Sequence, residues 1–286
     1  MFAECSAAEA DMFDRNDFIS MFDDEKTRRK QFSANSGIQK NKKSPTFSVP
    51  FDNGLVRHFL YGTGKVLKYN PSYDQHYCFL RSDEDIALVE EWERNQGSRV
   101  FLRNLLDSTV ALDTNFVDNQ SGGKTECGLL EEQAKHHGHS SAIDQLASRL
   151  ADTIGDISYL RRAPFVMAVP ATADKAFDLP RELARRVAKL TDKVDLTPTV
   201  EMTKKTGSAK DLSRDKKWDL WAQTEIDFTD GSFLGSEVVV LDDKYQSGAT
   251  MHFIASQLYG YGAKKVHGLV GVKTLRDSDN LNVDAA

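Results

Sequence analysis

The chain has 286 residues, a formal net charge of −6, 28% charged and 40% hydrophobic side chains, enough for a sizeable core in one large or two small domains. The acidic balance argues against a generally basic nucleic-acid-binding surface, and no apolar run approaches the length of a membrane-spanning helix. Cys5, Cys78 and Cys127 are isolated, with no C-x-x-C pair, which excludes a four-cysteine zinc module and suggests a reducing compartment. An acidic start with no hydrophobic leader adds the expectation of a cytoplasmic protein.

Residues 1–50 read as an irregular, flexible segment. Within it Met12-Phe13, Phe18-Ile19 and Met21-Phe22 are spaced as a short acidic amphipathic helix that would dock on the core or on a partner. Basic clusters at Lys26 to Lys30 and Lys40 to Lys43 read as solvated chain, with a nucleic-acid role as the alternative. Residues 51–139 form a second region. Leu55 to Tyr61 and Lys65 to Tyr69 are expected strands about the Gly62-Thr63-Gly64 turn. Ser82 to Asn95 is an expected helix, with Ser82 and Asp85 as a capping box and Ile86, Val89 and Trp92 on one face. Ser98 to Leu106 continues as strand or helix, and residues 113–140 read as a linker. Ser121 to Thr125 ends like a P-loop, but Asp118 stands where that motif needs glycine. His136-His137-Gly138-His139 reads as a solvated loop.

Residues 140–286 carry the pattern of an α/β core. Ile143, Leu146, Ala147, Leu150 and Ile154 share a helical stripe, with Ser140 or Ser141 as its cap. An apolar strand follows at Phe165 to Pro170, then a helix over Pro180 to Leu190, then the basic polar stretch Thr203 to Trp218. Val238-Val239-Val240-Leu241 has no polar alternation, so both its faces are expected to be buried, as in a parallel sheet. It runs into Asp242 and Asp243, and a loop follows to Thr250. Met251, Ile254, Ala255 and Leu258 then share a helical face, with Ser247 and Thr250 as candidate caps. A last apolar strand covers Val266 to Val272. Carboxylates at a strand end, beside backbone amides at a helix start and a glycine that admits close approach, suit a sugar phosphate: acids for hydroxyls, amides for the phosphate.

The stretch from Val238 to Thr250 resembles the motif by which type I phosphoribosyltransferases bind 5-phosphoribosyl diphosphate (PRPP). The resemblance covers roughly residues 140 to 277. It implies that family's fold, a mostly parallel sheet flanked by helices, here with an N-terminal extension and a hood-like region in 51–139. It implies that Asp242 and Asp243 hold the ribose hydroxyls and that Gln246, Ser247, Gly248, Ala249 and Thr250 bind the 5-phosphate. Ala171, Thr172, Ala173 and Asp174 would meet the pyrophosphate. Lys204, Lys205 and Lys210 would lie in a loop closing over it. Mg²⁺ is the implied cofactor, with no protein ligand directly assigned. PRPP and a nitrogen base are the implied partners, homodimerisation is common in the family, and base choice would lie near Lys273 and Thr274. The chain departs from the pattern at Lys244-Tyr245-Gln246. Gln246 stands where purine-salvage members carry a carboxylate, and glutamine takes no proton. The basic stretch is also similar to the ComF-like branch at Thr206, Leu212 and Lys217, with Ala209 where that branch has glutamine. Two further readings follow: a non-catalytic PRPP or nucleotide sensor, and a ComF-like accessory protein of DNA uptake or recombination with a DNA or DNA-processing partner.

Overall fold

The structure, a computed structural model, describes residues 13–22, 26–40, 44–118, 122–170, 177–202 and 212–275. The N-terminal half contains α1 (Arg15–Ser20), β1 (Arg29–Gln31), β2 (Ile38–Gln39), β3 (Thr46–Val49), α2 (Leu55–Thr63), β4 (Lys68–Asn70), β5 (Gln75–Phe79), α3 (Asp83–Gln96), β6 (Val100–Leu102), β7 (Ser108–Thr114) and α4 (Glu126–His137). Then come α5 (Ser140–Asp156), α6 (Ser158–Arg162), β8 (Phe165–Ala168), α7 (Leu179–Thr191), β9 (Val194–Asp195), β10 (Val200–Met202), α8 (Arg214–Ala222), β11 (Ile226–Phe228), β12 (Glu237–Tyr245), α9 (Ala249–Gly260) and β13 (Lys265–Lys273).

Three readings of the N-terminal half are corrected. The segment expected to be irregular supplies α1 and three strands. Asp14 and Asp17 cap α1 reciprocally, and Phe13, Phe18 and Met21 are buried beneath it. Lys26 pairs with Asp74 at 2.7 Å, and Arg29 donates to the Leu275 carbonyl at 2.6 Å, so these cations are tied to the fold. Leu55 to Tyr61 is helix α2 and not a strand: Leu55, His58 and Phe59 are buried at helical spacing, between the left-handed Gly54 and Gly64. Finally, the supposed linker contains α4. Cys127, Leu130, Glu131 and Ala134 are buried at i, i+3, i+4 and i+7, a stripe hidden in the sequence by its charged member. In α3 Ser82 accepts the Asp85 amide at 3.2 Å as expected, but the Asp85 carboxylate turns to Lys65 and the Arg81 amide instead of closing the box.

The central sheet has the order β1-β6-β7-β13-β12-β8-β9. From β7 to β9 every pairing is parallel, while β1, β6 and β7 pair antiparallel. This is the expected mostly parallel α/β sheet. Val238 to Leu241 are wholly buried because helices cover both faces. On one face Val239, Leu241 and Leu269 pack with Leu146 and Leu150 of α5 and Leu183 of α7. On the other Val238, Val240 and Val270 pack with Ile254 and Leu258 of α9, Trp218 of α8 and Phe18 of α1. No helix among the described residues is long and apolar enough to cross a membrane.

The order places a topological switch between β8 and β12. From β8 the chain crosses by α7 to β9, outward to one side. From β12 it crosses by α9 to β13, outward to the other, with α7 and α9 on opposite faces. The connections diverge at the carboxyl ends of β8 and β12 and leave a crevice, where sheets of this kind hold ligands.

Candidate functional site

Pairing of β8 with β12 ends at Ala168 and Leu241, so Asp242 is the first residue of β12 beyond its neighbour. The Asp242 carboxylate is half-buried and accepts the Asp243 amide at 2.8 Å. Burial, and then the charge of Asp243, push its pKa well above the ordinary carboxylate range. Asp243 is 7% exposed and its carboxylate is bonded to the Lys135 ammonium of α4. Lys135 also lies 3.7 Å from Glu131, and Lys244 reaches Glu131 at 3.0 Å. Asp243 and Lys244 are neighbours, yet both reach α4, so strand alternation breaks here. Burial opposes the charge on Lys135, but Asp243, Glu131 and Asp242 outweigh it and raise its pKa.

β12 does not stop at the acids. It runs on to Tyr245, which pairs with Lys273 at the end of β13, and only Gln246, Ser247 and Gly248 separate it from α9. Gly248 has φ 78°, and a Cβ there would lie 2.2 Å from the Tyr245 hydroxyl oxygen. Glycine is required by both the left-handed backbone and the tyrosine ring packed against it. Gly248 is itself the N-cap and has no side chain to cap α9; Ser247, one residue outside, accepts the Ala249 amide only at a long 3.4 Å, and Thr250, expected as a cap, lies inside the helix. The Thr250 hydroxyl instead accepts Trp221 Nε1 at 3.0 Å. The wholly buried His252 lies 2.8 Å through Nδ1 from the Gly248 carbonyl, which can only accept, so Nδ1 carries the proton. Its Nε2 accepts the Leu105 amide at 3.3 Å. Burial holds the imidazole neutral, with a pKa lowered to about 4. The first-turn amides of α9 lack intrahelical partners, as at any helix start, and sit next to this turn.

A cavity of about 170 Å³ opens beside Tyr245, Gln246 and Ser247. Arg28, Arg103, Arg214 and Lys273 line it, and no acid does among the described residues. Arg28 donates to the Met21 carbonyl at 2.6 Å. The Arg28 and Arg214 guanidiniums lie 4.7 Å and 4.0 Å from the Phe22 ring centre. Lys273 is buried and donates to the Thr274 carbonyl at 2.6 Å. Lys273 was expected near the base, and Arg28 and Arg214 fall in basic stretches read as solvated chain and closing loop; Arg103 stands in no such stretch. The arginines come from three distant segments, and no local spacing announces that they meet.

The pyrophosphate-loop residues Ala171 to Asp174 lie outside the described residues, as do Lys204, Lys205 and Lys210. From Arg214 onward the stretch read as a closing loop is helix α8, with Lys217 and Trp218 buried. For Mg²⁺ the donor set is thin. Asp243 is held by Lys135, leaving Asp242, and no cluster of three ligating side chains occurs among the described residues. Such a site fits an ion held mainly by ligand oxygens and water. A roomier cavity of about 1030 Å³ lies beside α3, but its Glu93 is already bonded by Ser36 and the Gly37 amide.

No protein-family model matches the chain, and no curated protein does. Solved structures do. A hypothetical protein from Neisseria gonorrhoeae with bound ppGpp is 16% identical over 46% of this chain and 66% of its own, with a TM-score of 0.29. Trypanosoma cruzi hypoxanthine phosphoribosyl transferase is 13% identical over 54% of this chain and 69% of its own, with a TM-score of 0.31. L. donovani hypoxanthine-guanine phosphoribosyl transferase is 15% identical over 46% and 68%, with a TM-score of 0.29. The chain spans about two thirds of the length of each. Overlaps this partial carry no argument about chemistry, which rests on β8, β12 and the turn before α9.

Proposed function

We propose that the chain binds PRPP or ribose 5-phosphate with Mg²⁺ between the carboxyl ends of β8 and β12, and transfers the phosphoribosyl group to or from a nitrogen base. One observation carries this reading: at the topological switch, Asp242, the glycine turn opening α9 and a four-cation cavity stand next to one another. Asp242 orients the ribose hydroxyls, with Asp243 behind it. Gln246 to Thr250 bind the 5-phosphate, whose charge the arginines complement. Ala171 to Asp174 and Lys204, Lys205 and Lys210 remain the residues proposed for pyrophosphate. In transfer, the bond from ribose C1 to pyrophosphate breaks and pyrophosphate leaves with the electron pair. The base nitrogen bonds to C1 and gives its proton to the leaving pyrophosphate. Mg²⁺ would supply charge neutralisation on the leaving pyrophosphate. The chain's own part is positioning, electrostatics and exclusion of water, with no protein nucleophile.

A second reading, a non-catalytic sensor of PRPP or a nucleotide, is favoured by the Asp243–Lys135 ion pair and by Gln246, which leave fewer ionised groups for chemistry. Calorimetric titration of PRPP with MgCl₂ tests the common part of both. The expected result is saturable binding, weakened about tenfold or more in Asp242→Asn and in Arg214→Gln. Absence of binding by the folded wild type overturns both readings, and turnover with a panel of bases separates them.

A further inference from the structure

A second polar cavity lies at the opposite end of the parallel strands. Its floor is the start of β7 and β13, at Asp107, Lys265 and His267, and its volume is about 670 Å³, within the range of small-molecule sites. Helix α2 begins at its wall. The N-cap of α2 is Gly54, with φ 79° and no side-chain cap. The amides of Val56 and Arg57 have no acceptor among the described residues. A Cβ at position 54 would lie 2.9 Å from the Ser108 Cβ and 3.0 Å from the tip of the Tyr159 ring. Glycine thus lets an uncapped helix start, with its partial positive charge, press against that tyrosine.

Tyr159 is 1% exposed, yet its hydroxyl has no hydrogen bond within 3.5 Å among the described residues; the Ser108 hydroxyl beside it is engaged with His267 Nδ1. Buried hydroxyls nearly always have a partner, so one without, at the wall of a cavity, is a group prepared for something that enters. The ring of His267 stacks on Tyr159 at 5.2 Å. Its Nδ1 is 2.9 Å from Ser108 Oγ, while Nε2 has no hydrogen bond within 3.5 Å among the described residues and lies 3.6 Å from Glu237. Arg57, in the first turn of α2, has no ion pair among the described residues. Three acids line the cavity as well. Asp74 is held by Lys26 and by Tyr69, each at 2.7 Å, and Asp107 by the Tyr259 hydroxyl at 2.6 Å and the Val266 amide at 3.0 Å. Only the exposed Asp52 is left facing it.

We propose that this cavity is a binding site for a phosphate group, as an ester or the free ion, held by the start of α2, the Arg57 guanidinium and the Tyr159 hydroxyl. All three can donate hydrogen bonds, so they suit a ligand that only accepts them. Arg103 lines both this cavity and the one beside Tyr245, whereas Asp242 lines neither, and Arg57 and Tyr159 line this one and not the other.

The test follows the His267 ring by NMR while inorganic phosphate, and separately glycerol 3-phosphate, is added at constant ionic strength. Saturable shifts are expected, weakened about tenfold in Arg57→Gln and in Tyr159→Phe and unchanged in Asp242→Asn. Tighter binding of glycerol 3-phosphate assigns the site to esters, and tighter binding of phosphate assigns it to the free ion. Tyr159→Phe keeps the packed ring and removes only an unpartnered hydroxyl, and Arg57 is exposed, so both variants should fold. No saturable shift, equal affinity in both variants, or loss of binding in Asp242→Asn would overturn the proposal.

Discussion

Asp242 and His252 lie on either side of one turn, and burial shifts them in opposite directions. The carboxyl of Asp242 is raised, so the folded chain keeps a proton that the unfolded chain releases near pH 4. Its contribution to stability is full below the unfolded pKa and is lost as pH rises through the folded one. Asparagine stays neutral, so Asp242→Asn should be more stable than the wild type at pH 7 and flatten that slope. Urea unfolding at several pH values checks it; a loss of stability at pH 7 would mean that the carboxylate is ionised and needed. His252 runs the other way. Its pKa is lowered to about 4, so its contribution is full above the unfolded value of 6.5 and fades as pH falls toward 4. That amounts to about 3 kcal/mol, which His252→Gln should remove from the acid limb of the same curves. At this scale Asp242 and Gly248 were legible, because an apolar run ending in acids, then glycine, is a local pattern. His252 was not, since nothing in its neighbours says which carbonyl its ring will meet. Tyr245 looked like a mere departure from a motif until its ring was found against Gly248.

At the scale of elements, α4 matters most and was missed. Its stripe includes Glu131, buried because Lys135 and Lys244 neutralise it, and no reading by hydrophobicity counts such a residue. The ion pair from Lys135 to Asp243 ties α4 to the end of β12. Lys135→Met should cost about 2 kcal/mol, because Asp243 is buried and would lose its cation, with some relief from the partial exposure of Lys135. Adding Asp243→Asn should restore part of the loss, so the double variant costs less than the sum of the two single ones in urea at pH 7. Strict additivity would show the pair to be uncoupled. The strands β8, β12 and β13 and the helices α5, α7 and α9 were read correctly because buried strands and one-sided helices write their burial into neighbouring residues. Helix α2 was misread because two glycines near its end looked like a hairpin turn.

Across the whole molecule, the sheet joins chain segments that sequence order keeps apart. β7 pairs with β13 from Ser108 opposite His267 to Thr114 opposite Lys273, and Phe18 of α1 stacks on Trp218 of α8 at 5.1 Å. A fragment of residues 140–286 would expose the edge of β13 and the apolar face beneath α1. It should show no cooperative unfolding transition by circular dichroism, whereas the full chain should. A sharp transition in the fragment would establish the second half as an independent domain.

Local pattern alone carried the parallel-sheet class, the strand that delivers Asp242 and the glycine turn before α9. Each depends on residues within a few positions of one another, where backbone geometry and burial leave a periodic trace. The assembly of Arg28, Arg103, Arg214 and Lys273 around one cavity, the capture of Asp243 by Lys135 and the junction of Gly54 with Tyr159 came only with the fold. Those contacts join residues far apart in the chain, and the sheet order that unites them is set by packing both faces at once, which no single segment records.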